Sequence, residues 1–132
     1  MSIEPTPEQI QRLASSQDGQ PVVMLNLVRF KERADGIDAA DGITGAEAYA
    51  RYGAAVVSHL ERVGGRVLMA LSAQECVIGP YEGEWDMVLL AEYPSRQAFL
   101  EMTTDAGYLD IHQHRAAALA DSRLIACAVF SG

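Results

Sequence analysis

The densest grouping of chemically capable side chains in this sequence lies in "GYLDIHQHRAAAL", where Tyr108, His112 and Arg115 recur at helical spacing. At about 100° per residue, Tyr108, Ile111, His112, Arg115 and Leu119 fall within roughly one third of a helix circumference, so an imidazole and a guanidinium share an apolar face. A guanidinium grips a carboxylate through two parallel N–H bonds. Imidazole is the side chain whose proton moves near neutral pH. Together they make Arg115 an anion clamp and His112 the candidate catalytic acid or base, with Tyr108 beside them as a substrate-binding group. The structural alternative pairs Arg115 with a buried carboxylate, Asp86 or Glu92, and ties His112 to a backbone carbonyl. His114 falls off this face and is expected in solvent.

Four further substrate-binding candidates come from other segments. Tyr52 and His59, seven residues apart, share the border of an amphipathic helix whose centre holds Tyr49, a core residue by position. A border tyrosine can pack its ring and extend its polar tip into a cleft. Trp85 is expected to open a strand and cover the core end or a pocket mouth. Asn26 sits in "VVMLNLVRF", a strand apolar on both faces that also carries Arg29. Burying either polar group without a partner costs about 1–3 kcal/mol or more. Asn26 and Arg29 are an odd number of residues apart and point to opposite faces. Asn26 is assigned to the helix-covered face, where it could polarise a carbonyl or phenol, and Arg29 to the other face; alternation alone leaves the reverse open.

The elements that must position these groups follow from local signals. Thr6-Pro7-Glu8-Gln9 and Thr44-Gly45-Ala46-Glu47 are capping boxes that start helices at about 7–16 and 45–63, the second ended by Gly64-Gly65. Strands are expected at 22–30, 66–79 and 84–93, the last two forming a hairpin around "PYEG". Pro94-Ser95 caps a short helix to about Met102, Thr104-Asp105 caps another over 106–120, and 123–130 closes as a strand. This order predicts one α+β domain spanning 1–132, a ferredoxin-like sandwich with a four-stranded antiparallel sheet, helices on one face and an extra N-terminal helix. Both sheet faces are apolar, so the bare one calls for a second copy and a homodimer. The segment from Lys31 to Thr44, "KERADGIDAADGIT", is long for a connection and reads as a lid, partner contact or flexible insert, the most mobile interior segment of the chain. Its acids do not follow calcium-loop spacing.

Composition excludes several classes. With 10 Lys and Arg against 18 Asp and Glu, a net charge of -8 disfavours nucleic acid and anionic membranes as partners. The absence of a signal-like start or a run of about 18 apolar residues points to a cytoplasmic protein. Cys76 and Cys127 lack metal-ligand spacing and are expected as reduced, buried thiols. No glycine-rich phosphate loop, HExxH or nucleophile elbow occurs, so neither cofactor nor metal is expected.

"YARYGAAV", "GGRVL", "EGEWDMVLLAEYPSRQAF" and "GYLDIHQHRAAAL" together resemble the bacterial "domain of unknown function 1330" family of the dimeric α/β-barrel superfamily, over about residues 21–130. The N-terminal helix and the 31–44 segment depart from the shorter family pattern. The resemblance implies a dimeric α/β barrel and leaves the chemistry open, because the superfamily includes cofactor-independent monooxygenases, small isomerases and haem enzymes. A haem, on that analogy alone, would take His59 or His112 as axial ligand. The reading is a small-molecule-binding protein, extended by the resemblance to a cofactor-independent oxygenase- or isomerase-like enzyme acting on a small carboxylate or phenolic compound. A non-catalytic dimeric binding or interaction module is the alternative.

Overall fold

A computed structural model describes residues 2–16, 18–80 and 83–130. Helix α1 (Pro7–Ser15) precedes β1 (Val22–Phe30), a 3-10 helix (Gly36–Asp41), α2 (Gly45–Arg62), β2 (Arg66–Ser72), β3 (Met87–Tyr93), α3 (Arg96–Thr104), α4 (Ala106–Ala118) and β4 (Leu119–Cys127). The strands form one antiparallel sheet in the order β2-β3-β1-β4. This is the ferredoxin-like α+β architecture anticipated above.

Both capping boxes form as predicted: Gln9 and Glu47 donate their backbone N–H groups to Thr6 and Thr44 and accept from the cap backbone in return. Gly64, at φ +80°, ends α2 in a left-handed turn whose neighbour Gly65 donates to Leu60 O at 2.8 Å. Gly45 starts the same helix in close quarters, since a Cβ there would lie 2.2 Å from Lys31 O.

Two boundaries move for reasons of pairing. β2 ends at Ser72 rather than 79, because β3 begins only at Met87 and the chain beyond Ala73 has no ladder partner; Val77 and Ile78 lie exposed. Two residues of the "PYEG" turn, Tyr81 and Glu82, lie outside the described residues. At the other end α4 stops at Ala118 and β4 starts at once, drawn in by Lys31 donating to Ala118 O at 2.8 Å and by Phe30 pairing with Leu119. Cys76 and Cys127 are free but half-buried, less enclosed than expected, since Cys76 falls beyond the shortened β2 and Cys127 at the last residue of β4.

The helices cover the face that carries Val22, Met24, Asn26 and Val28. Across the opposite face Met69, Leu90, Leu25 and Ile125 align in one row, and Leu71, Val88 and Leu27 in the next. No described element covers this second face, and Met69, Leu71 and Ile125 remain about half exposed. Arg29 lies on it beside Asp121 at 3.8 Å.

The 31–44 segment differs from the unanchored loop expected. Asp38 is 1% exposed and accepts from Arg51 Nη1 at 2.8 Å, while His114 Nδ1 lies 2.9 Å from its other oxygen. Asp35 donates its backbone N–H to Ala117 O and Ala34 to Ile43 O. The anchor is polar and its partners are distant in sequence, and His114 is a tether rather than a solvated side chain. Asp38→Ala is expected to destabilise the fold by about 2–3 kcal/mol, since it strands the donors gathered around a buried acceptor. Amide exchange in residues 36–42 should be slow in the parent and fast in this variant; equal exchange in both would contradict the tether.

Candidate functional site

The helix-covered face of the sheet does not close fully against α2, α3 and α4. One packed cluster gathers around Val22, Leu60, Phe99 and Met102, and another around Val28, Tyr49, Ala118 and Leu119. A cavity of about 1390 Å³ runs past both, between the sheet, these helices and α1. Asn26, Tyr52, Tyr108, His112 and Arg115 all stand in its wall. Asn26 is therefore on the helix side as assigned, and no hydrogen bond engages its carboxamide among the described residues.

Helix spacing and the α2–α4 contact bring the polar groups into a line. Tyr52 Oη lies 2.9 Å from Tyr108 Oη, which lies 3.3 Å from His112 Nδ1, and His112 Nε2 lies 2.7 Å from Glu4 Oε1. With Glu4 ionised, the Nε2 proton points at the carboxylate, Nδ1 accepts from Tyr108, and Tyr108 accepts from Tyr52. The line runs from a buried phenol to a carboxylate in solvent. Burial holds the Tyr52 phenol well above its usual pKa, reinforced by Tyr108. Tyr49 and Tyr108 are raised by burial as well, with the Arg115 charge working against the rise. The phenols are thus neutral at physiological pH and act as donors and acceptors rather than as bases.

Arg115 is 7% exposed, yet among the described residues no carboxylate pairs with it. Its Nη1 donates to Ile3 O at 2.8 Å and its Nη2 to Ser122 Oγ at 3.4 Å, both neutral. Asp86, one suggested partner, accepts instead from the Phe30 backbone, and Glu92 pairs with Arg66. Neither of these two acids pairs with Arg115.

Two candidates fall elsewhere. His59 is outside the cavity wall, packed edge-on to Tyr108 at 6.3 Å and facing the α4 start, where Arg62 and Asp105 pair at 3.1 Å. It shares Tyr52's helical stripe, but α4 crosses it so closely that a Cβ on Gly107 would come within 3.2 Å of the imidazole. Trp85 precedes β3 rather than opening it and lies under the Arg123 guanidinium at 5.2 Å, away from the cavity. A haem also fits these residues poorly, because His59 lies outside the cavity and both ring nitrogens of His112 are engaged.

The N-terminal segment is the part of the site that sequence reasoning missed. Besides Ile3 and Glu4, Ser2 accepts from Ser122 Oγ at 2.7 Å and donates to Asp121 Oδ1 at 2.8 Å. Nothing local marks contacts made across more than a hundred residues. Ser122 was readable in principle, since it continues the alternation of Leu124 and Ala126 once β4 is given its true start. The Ser2 backbone N–H, with Arg123 and the Ser122 N–H, holds Asp121 at a pKa of about 2. A folded-state pKa below the ordinary carboxylate value means stabilisation present above about pH 4 and lost as pH falls toward 2. Residues 2–4 should therefore detach between pH 4 and 2, and Asp121→Asn should detach them at neutral pH. Unchanged amide signals of Ile3 and Glu4 in both tests would contradict this tie.

No curated protein matches this chain. RPA0582, a protein of unknown function from Rhodopseudomonas palustris, superposes with a TM-score of 0.90 at 42% identity, over 98% of each chain. Its methylated form gives 0.91 at 42% identity, over 98% of this chain and 96% of that one. A dimeric protein of unknown function with a ferredoxin-like fold from Bacteroides fragilis matches at 0.53 and 10% identity, over 84% and 97% of the two chains, a likeness of fold alone. Residues 39–128 match the model of DUF1330, a domain of unknown function, and the chain belongs to that family.

Proposed function

We propose that this protein binds a small organic anion, a carboxylate or phenolic compound, in the cavity between sheet and helices. The observation that carries the proposal is Arg115, a buried guanidinium in an apolar-lined cavity whose partners among the described residues are neutral. Buried charges are rare unless paired, and a ligand carboxylate would complete the pairing in bidentate fashion. The carboxamide of Asn26, without a hydrogen bond among the described residues, supplies a second polar contact in the cavity wall. The Tyr52–Tyr108–His112–Glu4 line extends the reading to acid–base chemistry: His112 exchanges a proton with the ligand side through Tyr108 and with solvent through Glu4. An isomerase- or oxygenase-like reaction that begins with proton transfer would use that route and no cofactor.

The second part of the proposal is a homodimer through the bare sheet face. A contiguous apolar sheet surface of this kind favours association, and pairing with a second copy gives one closed barrel from two sheets.

Thermal denaturation with a panel of aliphatic and aromatic carboxylates, each beside its primary amide, tests the anion site. Carboxylates should raise the melting temperature as the logarithm of one plus the ratio of free ligand concentration to Kd, and the amides should not. A panel without one carboxylate response at millimolar concentration overturns the reading.

A further inference from the structure

The cavity is chemically graded along β1. Ser122 pairs with Val28 and Tyr93 with Val22, so the register measures the distance between its ends as six residues of strand, about 20 Å at roughly 3.3 Å per residue. At the Val28 end stand Arg115 and Ser122, with Ile3 laid over them. At the Val22 end the wall is Leu60, Tyr93, Phe99 and Met102, and Leu13 of α1 packs against them. α1 has no buried residue of its own, and Ile10 and Leu13 of its apolar side line the cavity. With no fully buried residue, α1 turns Ile10 and half-buried Leu13 to an apolar channel that its own side chains do not fill. The volume of about 1390 Å³ also exceeds the range of about 300–1,000 Å³ usual for small-molecule pockets, so a compact acid would leave most of the apolar wall uncovered.

We infer that the ligand is a single-tailed amphipathic carboxylate, its head on Arg115 and Asn26 and its alkyl tail running beneath α1 toward Phe99. This rests on the anion-site reading and adds the tail. The cation without a counter-charge selects the head, and the apolar end some 20 Å away selects an extended body. α1 then closes Ile10 and Leu13 over the tail beside the Val22-end cluster.

Calorimetric titration of the unmodified protein with straight-chain carboxylates from butanoate to dodecanoate tests the inference, with 2-naphthoate as a compact aromatic acid of similar carbon count. Affinity should rise about fourfold per added methylene until the tail fills the channel. Leu13→Asp, at a half-buried position that lines the channel, should weaken dodecanoate at least about tenfold, while hexanoate, too short to reach it, still binds by NMR at millimolar concentration and shows the anion site intact. If carboxylates bind with no dependence on length, or 2-naphthoate binds as tightly as dodecanoate, the tail channel is wrong and the anion site stands. Unchanged dodecanoate binding in Leu13→Asp removes α1 from the tail path and overturns the inference as stated. If no carboxylate of any length binds, the anion site itself fails.

Discussion

Arg115→Leu is expected to lose at least about a hundredfold in affinity for every carboxylate that binds the parent, with a stability change below about 3 kcal/mol. The first expectation follows from removing two charge-assisted bonds to a ligand held away from water, each worth about 1.5–3 kcal/mol. The second follows from what Arg115 touches. Its protein partners are the Ile3 carbonyl and the Ser122 hydroxyl, so removing the guanidinium leaves no buried carboxylate without its counter-charge. A structural ion pair would behave differently, because stranding its acid costs about 3–5 kcal/mol. Denaturant midpoints with and without ligand separate the cases. A severely destabilised variant would retire the clamp; a stable variant blind to carboxylates makes His112→Gln the next test, with turnover rather than binding as the readout.

Leu90→Lys is expected to convert a dimer into a folded monomer. Leu90 pairs with Leu25 on one side and Met69 on the other, at the middle of the uncovered face. In a two-fold interface the substitution appears twice and buries two unpaired ammonium groups, each costing several kcal/mol, which should raise the dimer dissociation constant at least about a thousandfold. In the monomer the same lysine points into solvent, so the circular dichroism of the fold should persist. Light scattering at micromolar concentration reads the outcome. A parent protein of monomer mass, about 14.3 kDa, would sink the dimer before any variant is made.

Interactions that close within a few residues were legible in the sequence. The Thr6 and Thr44 caps each use a partner three residues away, the αL turn at Gly64 needs only a missing side chain, and β1 follows from nine residues of strand-forming pattern. Helical periodicity alone set Tyr108, His112 and Arg115 on one face, so their grouping was legible in the sequence. Alternation likewise separated Asn26 from Arg29. It could not say which face the helices would cover, because both are apolar and the choice belongs to α2 and α4. Tertiary structure also decided that Glu4 meets His112, that Ile3 caps Arg115 and that Asp38 gathers Arg51 and His114. Those contacts join charged or polar groups whose local sequence is indistinguishable from solvated surface, and only folding places a partner within reach. Trp85 and His59 show the converse: each has the right side chain, but the start of β3 and the crossing of α4, set by packing between distant segments, turn both away from the cavity.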